Sequence, residues 1–327
     1  MACVDAFNRS ISYIRISVTD RCNLRCVYCM PEEGVKLRKH EEILTFEEIE
    51  TVVKAAASLG ITKVRLTGGE PLVRKGIVEL VRKIASVPGV EDLAMTTNGT
   101  LLAQYAQALK EAGLKRVNVS LDSLRPERFR RITRLGNLED VLRGIEAARK
   151  VGLTPVKVNM VVIDGLNRDE VVDFARLTLE DEWHVRFIEL MPIGPNVEVN
   201  HRGYVPMSEV RQEIEEALGS LIPARITGNG PARYYRLKGA PGTIGFITPI
   251  SEHFCYRCNR LRLTADGRLR PCLLSDYEID LKGALRSGAG VKEIARLMKE
   301  AVLLKPQRHH IAEEIFPVSR VMSEIGG

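Results

Sequence analysis

The stretch Tyr13-Ile14-Arg15-Ile16-Ser17-Val18 is a short β-branched run, and it leads through Thr19-Asp20-Arg21 directly into Cys22. A first strand followed by G-x-G-x-x-G would announce a dinucleotide-binding fold; here no such turn follows. Working outward, runs of the same kind recur at residues 63–67, 92–97, 116–121, 155–163 and 184–190, and amphipathic windows separate them. Between the first two runs, Thr45 and Glu48 have capping-box spacing. Ile49, Val52, Val53 and Ala56 then mark one helical face, and Gly60 closes it. Further helices are expected at 77–86, 102–111, 138–150 and 169–180, with Gly113 and Gly152 where C-terminal caps belong.

Six β-α units in succession predict a parallel sheet with right-handed crossovers, of the α/β class. The expected form is an incomplete (β/α)6 barrel, like a TIM barrel with too few strands to close. Polar residues fall where the strands should end: Thr67-Gly68-Gly69-Glu70, Thr96-Thr97-Asn98, Ser120 with Asp122, Lys157 with Asn159, and Met191. In parallel barrels those ends form the mouth of the active site.

The rhythm breaks after Pro192, where glycine and proline punctuate short β-like segments. A hairpin is expected over 261–273, turning at Asp266-Gly267, and one more helix over 291–304. The expected domains are therefore 1–192, the partial barrel, and 193–327, a smaller C-terminal domain. A length of 327 residues suits roughly two domains at about 150 residues each. With 45% apolar and 28% charged residues the composition is that of a globular protein. The longest uncharged stretch, 93–109, holds 17 residues and is too short and too polar to cross a bilayer. No apolar leader opens the chain, so a cytoplasmic protein without membrane partners is expected. The net charge of +6 is modest and suits a small anionic ligand better than a long nucleic-acid footprint. Part of the excess is local: residues 251–272 carry five arginines against Glu252 and Asp266.

Six of the seven cysteines fall into two sets. Cys22, Cys26 and Cys29 form C-x3-C-x2-C in the loop after the first strand. Three thiolates in one flexible loop can hold three corners of a four-iron cluster and leave the fourth iron open for chemistry. Structural zinc ordinarily takes four ligands, and this loop offers no histidine or fourth cysteine. The second set, Cys255, Cys258 and Cys272, again supplies three thiolates, beside Arg260 and Arg262. Its spacing alone also admits a zinc site completed by His253. His309-His310 remain unassigned, since neighbours on a helix or strand point apart, and Cys3 reads as a free thiol.

The first loop, with Tyr28 just before its third cysteine, resembles the signature of the radical S-adenosylmethionine (SAM) superfamily. Thr67-Gly68-Gly69-Glu70-Pro71, one β-α unit later, resembles the glycine-rich motif of that superfamily. The stretch from Phe254 through Cys255, Cys258, Asn259, Arg260, Leu261 and Arg262 to Cys272, with the closing Gly326-Gly327, resembles the GTP 3′,8-cyclase family of molybdenum cofactor biosynthesis. This likeness covers essentially the whole chain.

By that resemblance, Cys22, Cys26 and Cys29 hold a SAM-binding [4Fe-4S] cluster, and Tyr28, Gly69, Ser120 and Met191 line the SAM site. Arg15, Arg65, Thr96, Lys157, Arg260, Leu261 and Arg262 contact GTP. Cys255, Cys258 and Cys272 hold a second [4Fe-4S] cluster, and Gly326-Gly327 reach into the substrate cavity. The implied reaction begins with reductive SAM cleavage to a 5′-deoxyadenosyl radical, which removes the ribose 3′-hydrogen of GTP. The ribose radical then attacks guanine C8, and an electron supplied from outside or through the second cluster, with a proton, quenches the product radical to give a cyclised dihydroguanosine triphosphate. The implied partners are an external electron donor and the next enzyme of the pathway, with the protein a monomer or homodimer. Two rivals stay open at this level: a radical SAM enzyme acting on nucleic acid or peptide, and a two-site metal-binding module without catalysis.

Overall fold

The computed structural model describes residues 3–193, 203–228, 230–313, 316–317 and 319–326. Its strands are β1 (Cys3–Val4), β2 (Ser10–Ile11), β3 (Tyr13–Ser17), β4 (Lys63–Thr67), β5 (Asp92–Thr97), β6 (Arg116–Ser120), β7 (Lys157–Val162), β8 (His184–Glu189), β9 (Ile222–Ala224), β10 (Arg233–Arg236), β11 (Thr243–Ile247), β12 (Arg260–Leu263), β13 (Arg268–Arg270) and β14 (Ile279–Asp280). Strands β1 and β2 pair as a small antiparallel ribbon. The other twelve form one sheet in the order β14-β13-β12-β3-β4-β5-β6-β7-β8-β11-β10-β9.

The six expected strands, β3 to β8, lie side by side and parallel. Two strands from the C-terminal part flank them, also parallel: β12 against β3 and β11 against β8. The parallel run is thus eight strands wide, and antiparallel strands continue it at either edge. The sheet's two ends, β14 and β9, do not pair, so the barrel is incomplete.

Alternation along the strands sorts their side chains. Ile14 and Ile16 of β3, Val64 and Leu66 of β4, Val185 and Phe187 of β8, and Leu261 and Leu263 of β12 are buried in the hydrophobic core. Their neighbours Arg15, Arg65, Arg186 and Arg262 turn to the other face and line a cavity. A period of two on a sheet covered by helices produces this division.

The helices follow the periodicity closely. Phe46–Ser58 begins at the capping box: the Thr45 hydroxyl accepts from the Glu48 amide, and the Glu48 carboxylate from the Thr45 amide. Ile77–Ala85, Leu102–Glu111 and Leu138–Lys150 lie where they are expected, and Val171–Glu180 begins after a short 3-10 turn. Gly113 and Gly152 have positive φ, as caps of that kind require. Three helices among the described residues go beyond the sequence reading, Pro126–Thr133, Met207–Leu218 and the short Leu281–Arg286. The hairpin of β12 and β13 and the helix Val291–Leu303 agree with it.

Candidate functional site

All six clustered cysteines line one cavity of about 290 Å³, although more than 200 residues separate the two sets in sequence. None of them is in a disulfide. The cavity sits at the C-terminal ends of the parallel strands, the position the polar strand ends predicted.

The first set lies in the loop after β3. Burial pushes the Cys22 thiol up to about 11 and Cys29 to about 12, and Cys26 also rises well above its ordinary range. Thiols so reluctant to ionise alone need a cation or cluster to stabilise their thiolates. The glycine motif at the end of β4 fits this loop tightly. The Gly69 amide donates to the Thr19 carbonyl at 2.7 Å, and the Glu70 amide to the Arg21 carbonyl at 2.8 Å. A Cβ on Gly69 would stand 2.3 Å from the Arg21 carbonyl oxygen, and one on Gly68 2.8 Å from that of Thr19. The close approach that requires glycine is therefore to the cysteine loop itself.

Glu70 is buried and accepts from the Thr97 hydroxyl and the Asn98 amide, which joins the ends of β4 and β5. Burial raises its carboxyl to about 7 against those hydrogen bonds. Asp122 plays the same part after β6: it accepts from the Tyr28 hydroxyl at 2.7 Å and the Val161 amide at 2.9 Å. Tyr28, Gly69, Ser120 and Met191 all line the cavity.

The second set is held from two sides. Arg9, paired with Asp5, donates to the Cys255 carbonyl at 2.7 Å, and Lys305 donates to the Arg260 carbonyl at 2.9 Å. Burial raises the Cys255 thiol. For Cys258 burial pushes in the same direction, but the Arg260 and Lys305 charges outweigh it and bring the thiol down to about 6. Cys26 thus has Asp122 among its neighbours, whereas Cys258 lies beside the Arg260 and Lys305 charges. Among the described residues no three His, Cys, Asp or Glu side chains converge on a single ion. Thiolates around a multi-iron cluster each hold a different iron, and so stand wider apart. The donor set in each case is three sulfurs, which fits a four-iron cluster with one open iron.

Between the two sets lies a cationic wall. Arg15 sits in register with Arg65 on one side and Arg262 on the other. Burial, with Arg65 and Arg260 nearby, lowers Arg15 to about 10; burial and the Arg15 charge depress Arg262 further still. The Nε atoms of Arg65 and Arg186 and Oδ1 of Asn159 are buried without a partner. Buried polar groups are rarely left so, and an anionic, hydrogen-bonding ligand would satisfy them.

Of the residues expected to meet GTP, Arg15, Arg65, Thr96, Arg260 and Arg262 line the cavity. Leu261 does not; it is fully buried in the core on the opposite face of β12. Lys157 lies in the adjoining row, but its Nζ donates to the Thr227 carbonyl and rests 5.6 Å from the Tyr234 ring. Gly326 is in place: its carbonyl accepts from Arg15 at 2.9 Å and from Arg262 at 3.2 Å. Gly327 lies outside the described residues. Sequence reasoning passed over Arg186, which stands beside Asn159 in register, with Gly245 leaving room for it on β11. The available signal was an arginine in mid-strand among apolar residues, as in β3 and β4.

The wall of arginines and the two cysteine sets define a radical SAM protein with a C-terminal extension. Residues 16–178 match the model of the Radical SAM superfamily, and residues 183–311 match Molybdenum Cofactor Synthesis C. The chain belongs to the GTP 3′,8-cyclase family. It is 61% identical to a GTP 3′,8-cyclase of Pelotomaculum thermopropionicum over 324 residues, 99% of each chain, and 55% identical to that of Moorella thermoacetica over 323 residues, again 99% of each. Among solved structures, Streptococcus suis SuiB bound to S-adenosylmethionine superimposes with a TM-score of 0.60 over 87% of this chain and 68% of that one. At 13% identity that likeness concerns the fold alone. As a radical SAM family member the chain uses SAM and a [4Fe-4S] cluster. No helix among the described residues is long and apolar enough to cross a membrane.

Proposed function

We propose that the chain is a GTP 3′,8-cyclase that performs the first step of molybdenum cofactor biosynthesis. The observation that carries this reading is the cationic wall of Arg15 with the buried Arg65, Arg186 and Arg262, between two three-cysteine sets in one cavity. In this reading Cys22, Cys26 and Cys29 hold the SAM-binding cluster, and Cys255, Cys258 and Cys272 hold a second [4Fe-4S] cluster. When bound, the first cluster and SAM supply the reductive carbon–sulfur cleavage that yields the hydrogen-abstracting radical.

The chain's own residues do the placing. Tyr28, Gly69, Ser120 and Met191 surround SAM, and Asp122 fixes Tyr28 against the end of β7. The arginine forks receive the triphosphate, whose charge relieves their mutual repulsion. Thr96 and Arg260 border the nucleoside, and Lys157 joins the phosphates by leaving the Thr227 carbonyl. For Leu261 the contribution is its main chain, since its side chain is in the core. Gly326 borders the cavity without side-chain bulk and steadies Arg15 and Arg262, and Gly327, outside the described residues, is assigned to the same tail. Enclosure by sheet and tail keeps water and stray hydrogen donors from the substrate. The division of labour falls at 192/193, with SAM chemistry in 1–192 and the second cluster in 193–327. An external reductant and a following enzyme for the cyclised triphosphate complete the scheme, in the cytoplasm.

Anaerobic reconstitution with iron and sulfide, then product analysis with SAM, dithionite and each nucleoside triphosphate in turn, tests the proposal. A cyclised product from GTP alone is expected. SAM cleavage that yields no nucleotide product, or equal turnover of all four triphosphates, would overturn it.

A further inference from the structure

The 3-10 turn Met322–Glu324 comes from the far end of the chain, yet its Ser323 reaches Cys29 of the first cysteine loop. Ser323 in its middle is 2% exposed and borders the shared cavity. Its main-chain N–H faces the Cys29 sulfur and draws that thiol's pKa down against the effect of burial. Its hydroxyl is buried without a hydrogen-bond partner. Nearby, the Thr67 hydroxyl at the end of β4 is in the same condition, and Gly326 lies against it. A buried hydroxyl left open is unfavourable unless something fills its direction. The two polar groups of Ser323 belong to one residue, and one of them already engages a thiol of the first set.

We propose that Ser323 is a binding residue of the first-cluster site: its amide donates to the Cys29 thiolate, and its hydroxyl donates to an anionic acceptor beside that thiolate. The acceptor is either a cluster sulfide or the carboxylate of SAM. This rests on the reading of Cys22, Cys26 and Cys29 as ligands of the SAM-binding cluster. It makes the C-terminal stretch part of the SAM side of the cavity as well as the GTP side. Donors to cluster sulfurs favour the more negative, reduced state, and their loss makes a cluster harder to reduce.

The test uses reconstituted full-length protein and Ser323→Ala, with Ser323→Thr to retain the hydroxyl. Three readouts are taken: iron and sulfide content, the midpoint potential of the first cluster without SAM, and the SAM dissociation constant. Iron content should be unchanged in both variants. If the acceptor is SAM, Ser323→Ala weakens SAM binding roughly tenfold and Ser323→Thr restores it. If the acceptor is a sulfide, Ser323→Ala shifts the SAM-free potential downward while SAM affinity stays within about twofold. Unchanged potential and unchanged SAM affinity would overturn the proposal, and so would a loss confined to GTP affinity. Wild-type protein that binds no cluster at Cys22, Cys26 and Cys29 would overturn this proposal and the underlying reading together.

Discussion

Arg262 is buried, in register with Arg15, and bonded to the main chain of Gly326. An arginine in that position has little use without an anion, and its removal should be felt by GTP alone. Arg262→Ala should weaken GTP binding by roughly ten- to a hundredfold, the worth of one or two charge-assisted hydrogen bonds. Reductive SAM cleavage in the absence of GTP should hardly change, and equal loss of SAM and GTP affinity would show that the arginine serves another purpose. Lys157 gives a pH signature. Burial, with Arg186 and Arg116 close, lowers its ammonium to about 6 in the GTP-free site. Between pH 6 and its ordinary value near 10 the free site therefore holds mostly neutral lysine, and a bound triphosphate raises the pKa again. GTP binding at pH 7.5 should take up a proton, and affinity should fall as pH rises. Calorimetry in buffers of different ionisation enthalpy measures this uptake, and Lys157→Met should abolish it. Gly326 has φ +75°, and a Cβ there would stand 2.7 Å from the Thr67 hydroxyl. Gly326→Ala should accordingly cut GTP cyclisation sharply while both clusters assemble; cyclisation at the wild-type rate would make the tail a frayed end.

At the scale of elements, the contact between the glycine motif and the cysteine loop has no slack. Gly69→Ala should force the loop away from β4 and cost the first cluster, so that bound iron falls by about half and SAM binding is lost. Iron analysis alongside SAM binding checks both halves of that statement. The capping box of the helix Phe46–Ser58 should behave quite differently: Thr45→Ala should lower unfolding free energy by about 1 kcal/mol and leave iron content alone. This contrast explains why elements were easier to read than the site. Thr45, Glu48 and the 3.6-residue spacing after them act within one helix, so the sequence displays the whole interaction. Pro126–Thr133 escaped notice because its few apolar residues, Phe129 and Ile132, are surrounded by arginines. Its burial depends on a neighbouring surface that periodicity cannot reveal. Strand β11 escaped for a related reason, since Thr243–Ile247 is short and glycine-interrupted, and only pairing with β8 makes it a strand.

At the scale of the whole molecule, the two cysteine sets predict about eight irons and eight sulfides per chain when fully loaded anaerobically. Cys26→Ala should remove roughly half, abolish SAM cleavage and spare the second cluster; stoichiometric zinc with iron at one set only would defeat this expectation. The six parallel strands, most of their helices, the loop thiols and the glycine motif are legible in the residue order alone. Each of these depends on residues a few positions apart, and so leaves a local pattern. Residue order also marked Arg260, Arg262 and the closing glycines, through resemblance. The folded sheet, in contrast, joins β12 to β3 and β11 to β8, which brings Cys255, Cys258 and Cys272 to the same cavity as Cys22, Cys26 and Cys29. It alone placed Arg186 beside Asn159, turned Leu261 into the core and set Ser323 against Cys29. The physical reason is common to all of these. Alternation tells which face of a strand is buried, but pairing between segments distant in sequence, such as β12 with β3 or β11 with β8, is settled by the packing of the complete sheet, and no local spacing encodes it.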